Sequence, residues 1–587
     1  MTYDTAERSA ARPRPGSGAG RRARAAAWVL VPLAVYGAVT VVMFWNGRAF
    51  GMAFDEVSRA NNVWVWLNPD AVPQQQEVSS LTIFGHMVPL MFKTYVSAAL
   101  VPWYLPLGLF ADPLTGIRLL YAIYTFAGAA TGFLAFRRLW YWPATVVPLL
   151  CLTSPLMYPE VLYGFVTVLH VMPLIISARL VVGYFRSGSR WALFGAAAFA
   201  GLAINISFYS AWVVVGLGVS FVIVNPRRAW SAVRHWRNLV AVVAGAAIGL
   251  FNYVYYNVTQ GFPTVRVFTD RIFALDAYNE HAIDGVASQG VLTEVGERLG
   301  LLPRYMDGVG PVAVALWAGC LAVCAAVAFT AIRTRSWASY RWYFLPVIGA
   351  VIAFGAILIS PNADRAGHFG MLVGVIESAL VCTYLMAAKA FGPAIPALRR
   401  RALPAILVGV LACTGALSSR VAIDRELRIG GRNEHSTAIF GLVDYVLDNV
   451  PSSQLLQVQW GSYSQLFFFT RGEYATPGVV FQVLYEPMDE RVRIIADAVR
   501  EHGGDMVVPV YLMKDPVHGD LDFSWAADAV EETARALGGA LCVEETFARA
   551  DGREDIVLYR IRTGEVAQAD PLPTCESFAA PSPDPSR

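Results

Sequence analysis

The sequence predicts a polytopic α-helical membrane protein of about eleven transmembrane helices, with an α/β domain outside the membrane at its C-terminal end. Three observations predict it. The chain of 587 residues is 56% hydrophobic and 15% charged, with a mean hydropathy of +0.46, whereas a soluble domain carries about 25% charged residues. Apolar runs of spanning length recur from Ala27 to Leu417. Beyond about residue 420 the apolar runs give way to alternating amphipathic segments. The net charge of +2 points to no nucleic-acid partner, and no basic run is interleaved with aromatic residues as single-strand binding requires.

Residues 1–25 are rich in Pro, Gly, Ala and Arg and read as a disordered cytoplasmic tail. Arg21, Arg22 and Arg24 precede the first span, 27–45. That run is too long for a cleaved leader, and its exit lacks a small-residue cleavage site. It reads as a retained anchor crossing from inside to outside.

Ten further spans follow, at 114–136, 141–157, 161–183, 191–206, 208–224, 238–256, 311–331, 342–359, 369–388 and 403–419. Counting crossings places five basic connections on the cytoplasmic side: Arg137-Arg138, "FRSGSR" (185–190), "NPRRAWSAVRHWR" (225–237), "IRTRSWASYR" (332–341) and "ALRRRA" (397–402). This is the positive-inside arrangement. The transmembrane part therefore covers 26–420, and residues 421–587 are expected outside the plasma membrane.

That outer part alternates helix and strand patterns. "STAIFGLVDYVLDNV" and "DERVRIIADAVREHG" repeat at the helical period; "LLQVQW", "MVVPVYL" and "DIVLYRI" read as strands. An α/β domain at about 430–565 follows, with a frayed tail rich in Pro, Ser and Asp after about 566. Cys542 and Cys575 are its only cysteines, and an oxidising compartment would let them bridge. Cys320 and Cys324 lie one turn apart in a span without His or carboxylate beside them, and read as packing thiols.

Residues 46–113 form the first outer loop. Phe54, Val57, Ala60, Trp64 and Leu67 make an apolar stripe, so 54–67 reads as an interfacial helix. The apolar stretch 81–110 is long enough to cross, but one more crossing would invert every basic loop. With Pro89, Pro102 and Pro106 inside it, it reads as broken helices at the outer interface. The long outer loop 257–310 reads as a lid.

The order of an inside-to-outside span, "DE" at Asp55-Glu56, an interfacial helix, the broken "GHMVPLMFKTYVSAALVPWYLPLG" and a span opening "GIRLLYAIYT" resembles the C-type (GT-C) membrane glycosyltransferases. The nearest group is that of the protein O-mannosyltransferases and lipid A aminoarabinose transferases, which take sugar from a polyprenyl-phosphate carrier. Motif-level likeness covers about residues 50–140. The aminoarabinose transferases carry Lys-Pro-Pro where this chain has Lys93-Thr94-Tyr95, and no Asp-x-Asp appears in the second outer loop. The resemblance implies a transferase acting on a polyprenyl-phosphate-linked sugar, in contact with membrane lipid and with an extracytoplasmic acceptor: a protein, a lipid or a cell-wall glycan. It implies no organic cofactor and leaves a divalent metal open.

Sugar transfer needs a base for the acceptor hydroxyl and cations for the anionic leaving phosphate. Asp55 is the expected base, with Glu56 in support; Lys93, Arg365, His368, His86 and Arg304 are the expected phosphate contacts, with Arg266 and Arg271 at the same depth. Each has a plainer reading. Arg59 stands at i,i+4 from Asp55 and i,i+3 from Glu56, so an ion pair accounts for one carboxylate. Lys93 can snorkel to headgroups, and Asp364 can pair with Arg365. Glu160 is a further candidate, and His170, inside an apolar run, reads as an internal hydrogen-bonding residue. Two other classes compete. A transporter or flippase would want ionisable groups near mid-membrane, where His170 and Glu377 are the main ones. A non-catalytic scaffold would present the outer domain without a cavity.

Overall fold

The computed structural model describes residues 60–67, 79–83, 86–93, 96–136, 167–265, 310–358, 373–391, 436–459, 462–472, 478–483, 486–512, 525–569 and 575–577, with isolated positions before 60 and between 420 and 430. Helix α1 runs from Asn61 to Leu67. Strands β1 (Ser79–Ile83), β2 (His86–Lys93) and β3 (Val96–Ser97) follow as an antiparallel sheet in that order. The first half of the stretch expected as broken helices is therefore a β-meander. Ile83 pairs with His86 across only two intervening residues, the tightest common hairpin connection. An unbroken apolar run carries no period that separates strand from helix. Helical turns resume at Ala98–Leu109, in three short pieces of which the last two carry Pro102 and Pro106 as their second residues.

Eight of the expected spans lie on described helices. They are α2 (Pro113–Phe136), α3 (Thr167–Ser187), α4 (Arg190–Ile206), α5 (Ser210–Val224) with α6 (Pro226–Arg234), α7 (Trp236–Gly249) with α8 (Phe251–Gln260), α9 (Gly310–Arg333), α10 (Trp337–Leu358) and α11 (Val373–Phe391). Among the described residues three helices are long and apolar enough to cross a membrane, or five counting the bent pairs α5–α6 and α7–α8 as one span each. The run expected as one span at 238–256 is thus broken, by 84° at Leu250. The spans 141–157 and 403–419, and the loop beyond Val265, lie outside the described residues, and 27–45 is described only at isolated positions.

Small residues let these helices approach closely. A Cβ added at Gly249 of α7 would sit 2.1 Å from the Ala198 carbonyl of α4, and one at Gly245 would sit 2.2 Å from Phe194 O. Gly245 and Gly249 are four apart on one face, the spacing that seats one helix backbone on another inside a membrane.

The C-terminal part holds α12 (Ala438–Asn449), α13 (Ser462–Phe469), α14 (Met488–Glu501), β4 (Asp505–Tyr511), α15 (Trp525–Ala536), β5 (Ala540–Ala548), β6 (Glu554–Arg562) and β7 (Cys575–Ser577). Its sheet is antiparallel with order β4-β6-β5-β7. β4 is buried on both faces, in strict alternation. Val507 and Tyr511 join a core with α12 and α13, while Met506, Val508 and Val510 join another with α14 and α15. "LLQVQW" forms no strand, only single bridges from Leu455 to Val507 and from Gln457 to Gly478. The stretch after 566 is not wholly frayed. Gly564–Ala569 is helical, and β7 pairs with β5 through the Cys542–Cys575 disulfide register.

One apolar core joins the two parts. Val57 and Trp64, Leu100 and Tyr104, Ile117 and Tyr121 of α2, Leu169 of α3 and Ile206 of α4 pack in one cluster with Ile439, Val443, Phe467, Phe468 and Val507. The α/β unit therefore caps the end of the bundle opposite the Arg-rich α3–α4 turn. The stripe of 54–67 is covered at Val57, Ala60 and Trp64 by protein rather than lipid, while Leu67 is half exposed.

Candidate active site

The expected carboxylate pair, Asp55-Glu56, comes just before a segment the structure describes. Two residues on, Val57 is fully buried in the shared core. Asn61 at the start of α1 donates from Nδ2 to the Ser464 carbonyl of α13, 2.8 Å away. One turn later Trp64 packs against Phe468, ring centroids 6.2 Å apart, and under the Arg471 guanidinium, 5.8 Å from its ring centroid.

Arg471 closes the arrangement. Its Nη2 donates to the carbonyls of Phe110 and Ala111, at 2.9 and 2.6 Å. These two residues precede Asp112, which caps the first turn of α2 by accepting from the backbone N–H of Leu114 and Thr115. Arg471 itself has φ 55°, in the left-handed region. One cation thus ties α1, the entry to α2 and the end of α13.

A second polar and aromatic group lies at β2, β3 and α8. Asn252 of α8 donates from Nδ2 to Leu90 O and Ser97 Oγ, both at 2.9 Å, fixing β2 and β3 to α8. Leu90 and Met91 pack with Tyr253 and Tyr256. Tyr104 and Tyr121 share a 2.6 Å hydroxyl hydrogen bond, and Tyr36 of the first span donates to Ala122 O at 2.7 Å.

Asp55, Glu56, Arg59, Glu160, Arg266, Arg271, Arg304, Asp364, Arg365 and His368 lie outside the described residues. His86 and Lys93 are the two ends of β2. As a strand, their seven-residue separation spans roughly 23 Å, not the two helical turns, about 10 Å, that the helical expectation implied. His170 is 1% exposed inside α3, and the expected internal hydrogen bond is not seen among the described residues, where neither ring nitrogen has a partner. Cys324 is buried beside Thr383, Sγ to Oγ1 3.3 Å. Cys542 and Cys575 form a disulfide, Cα atoms 4.3 Å apart.

Two residues were missed from the sequence. Arg118 is buried in α2, less than two turns from its start. It is the only charged residue of that helix, and a lone charge in an apolar span was the available signal. Arg471 had no comparable signal beyond the Gly472 that follows it. A cavity of about 350 Å³, lined by Leu456, Val479, Arg493, Asp497 and His502, belongs to the α14 side of the sheet, the face turned away from α1. Among the described residues no group of three or more His, Cys, Asp or Glu could hold a metal ion.

No protein-family model matches the chain, and no curated protein matches it. Solved structures do. ArnT from Cupriavidus metallidurans in the apo state aligns with 91% of this chain and 98% of its own, at 15% identity and a TM-score of 0.52. The Archaeoglobus fulgidus oligosaccharyltransferase, in complex with Zn and sulfate, aligns over 89% of this chain and 73% of its own, at 11% identity and a TM-score of 0.50. Both are GT-C enzymes. At these identities the likeness is one of fold, and it runs over nearly the whole chain.

Proposed function

We propose that the protein is a membrane glycosyltransferase that moves a sugar from a polyprenyl-phosphate carrier to an extracytoplasmic acceptor, with Asp55 as general base. The observation that carries the reading is the setting of the carboxylate pair. Asp55 and Glu56 immediately precede a segment, Val57 to Trp64, that is pinned where the end of the helical bundle meets the α/β unit. Two peptide units allow Asp55 Cα no more than about 7.6 Å from Val57 Cα. The shared fold with two transferases supports the same reading.

In the proposed reaction the acceptor hydroxyl oxygen attacks the anomeric carbon. Asp55 takes the hydroxyl proton as the new C–O bond forms. The bond from the anomeric carbon to the phosphate oxygen breaks, and the polyprenyl phosphate leaves as an anion. Cations stabilise that charge. Lys93, Arg304, Arg365 and His368 are the proposed donor-phosphate contacts, and buried Arg118 joins them as a fifth; His86, at the far end of β2 from Lys93, is too distant to share that phosphate. Glu56 supports Asp55: on the helix expected over 54–67, successive side chains would point about 100° apart, so the two carboxylates would serve different atoms. Membrane lipid surrounds the bundle, the α/β unit faces the extracytoplasmic side of the plasma membrane, and no organic cofactor takes part.

The test is donor turnover. Purified full-length protein in lipid should release free polyprenyl phosphate from a polyprenyl-phosphate sugar when an envelope acceptor fraction is supplied. Absence of release with every sugar and acceptor fraction tried, by protein shown to be folded, would count against a transferase.

A further inference from the structure

The end of the bundle away from the α/β unit carries a surface that sugar transfer does not use. After α5 the chain turns by 109° into α6, a nine-residue helix across the bundle end. Pro226, Ala229, Trp230 and Val233 share one face of α6 at spacings of three and four. Ala229 is buried against the protein, whereas Trp230 and Val233 are 69% and 50% exposed. Arg227 and Arg234, seven apart, flank that face and are exposed. Arg228 reaches over the Trp342 ring of α10, and Arg237 over Trp236. Trp236 opens α7 and Trp191 is the second residue of α4, 66% and 80% exposed.

Hydrogen bonds hold these parts at one level. Asn238 of α7 donates to Tyr184 Oη of α3, at 2.8 Å, and to Ala232 O of α6, at 3.0 Å. Lys389 of α11 donates to Ser339 O of α10. Among the described residues these cations have no carboxylate partner. No Asp or Glu occurs between Glu160 and Asp270, or between Asp307 and Asp364, the stretches that hold every residue named here except Lys389.

Exposed Trp and Val on one face of a short helix, with arginines beside it and no carboxylate in the same stretch of sequence, match the headgroup layer of a bilayer on both counts. The aromatic side chains suit the interface, and the cations select lipids whose headgroups are anionic. We propose that α6, with the first turns of α4 and α7, is an in-plane docking surface for anionic phospholipid headgroups, held by Arg227, Arg228, Arg234 and Arg237. The aromatic face enters the acyl boundary while the guanidinium groups pair with lipid phosphates. The proposal rests on the membrane reading of the helices and not on the transferase reading.

The experiment compares phosphatidylglycerol with phosphatidylcholine bound to purified full-length protein, counted by native mass spectrometry from mixed micelles. The wild type should retain phosphatidylglycerol in preference, and millimolar inorganic phosphate should not displace it. Each Lys or Arg near an anionic surface is worth about fivefold in partition. The variant Arg227→Gln/Arg228→Gln/Arg234→Gln/Arg237→Gln should therefore lose at least tenfold of that preference. The corresponding Lys variant keeps the charge and should keep most of the preference, which separates lost charge from lost folding. Arg493→Gln/Arg500→Gln, on α14 of the α/β unit, should bind lipid as the wild type does. Equal retention of the two lipids by the wild type would overturn the proposal. So would an unchanged preference in the Gln variant, displacement of lipid by free phosphate, or an acidic polypeptide that outcompetes phosphatidylglycerol.

Discussion

Replacing Arg471 by alanine removes one side chain that ties three segments together. The guanidinium gives up two charge-assisted hydrogen bonds, to Phe110 O and Ala111 O, and its position over Trp64. Hydrogen bonds to charged groups contribute about 1.5–3 kcal/mol each, and a partly exposed cation–π contact about 0.5–1 kcal/mol. Ala111 is exposed, so water replaces part of what is lost. The net loss comes to about 2–3 kcal/mol. Arg471 also sits at φ 55°, a conformation that costs a non-glycine residue about 1–2 kcal/mol. Alanine keeps that cost and glycine removes it. Arg471→Gly should therefore lose about 1 kcal/mol less than Arg471→Ala. A multi-part membrane protein has no single unfolding free energy, so the readout is local: hydrogen–deuterium exchange of residues 61–67 and 110–116. Protection there should fall roughly 30- to 150-fold in Arg471→Ala and visibly less in Arg471→Gly. Unchanged protection in Arg471→Ala, or a glycine variant less protected than the alanine one, would refute the clamp.

Opening the Cys542–Cys575 disulfide by a Ser pair frees a loop of about thirty residues, worth roughly 3–4 kcal/mol by chain entropy. Strand β7 should lose exchange protection before the rest of the sheet, and equal protection in the two proteins would contradict this. Asp555 is fully buried, accepts from Ser436 Oγ at 2.7 Å and pairs with Arg549 at 3.2 Å. Burial outweighs these partners and raises its carboxyl above the usual 3.8. A raised carboxyl adds stability that is full below the unfolded value and is lost as pH climbs through the folded one. Thermal midpoints of the wild type should thus lose that contribution on going from acid pH upward, and Asp555→Asn should flatten this part of the profile. An identical slope in the two proteins would reject the assignment.

What could be read from the sequence was set by pattern length. Apolar runs near twenty residues marked eight stretches that are helical among the described residues, and the stripe through Val57, Ala60 and Trp64 marked a segment with one buried face. Nothing in that stripe told lipid from protein as the thing that covers it, because Phe468 and Val443 lie hundreds of residues away. The stretch from Ser79 to Ser97 was misread because neither its composition nor its period separates a meander from broken helices, and the two-residue hairpin at Ile83 and His86 has no Asn-Gly signature. β5 was overlooked because "ALCVEETFA" carries three polar residues where a half-exposed strand runs to the solvent side. The bend at Leu250 has no proline to announce it; it arises where Gly245 and Gly249 press α7 onto α4. At the site, carboxylates and cations were legible as residue types, while Arg118 and Arg471 needed the fold to bring them forward.

The central claim is that Asp55 takes the acceptor's proton. Sugar transfer by purified Asp55→Asn and Glu56→Gln variants in lipid measures it directly, because each substitution keeps the side-chain shape and removes the charge. The account predicts that Asp55→Asn loses roughly 10²-fold or more in turnover while exchange protection in α1 and α13 stays at the wild-type level, and that Glu56→Gln loses less. Near-normal transfer by Asp55→Asn with Glu56→Gln inactive would exchange the two roles. Near-normal transfer by both would contradict the account.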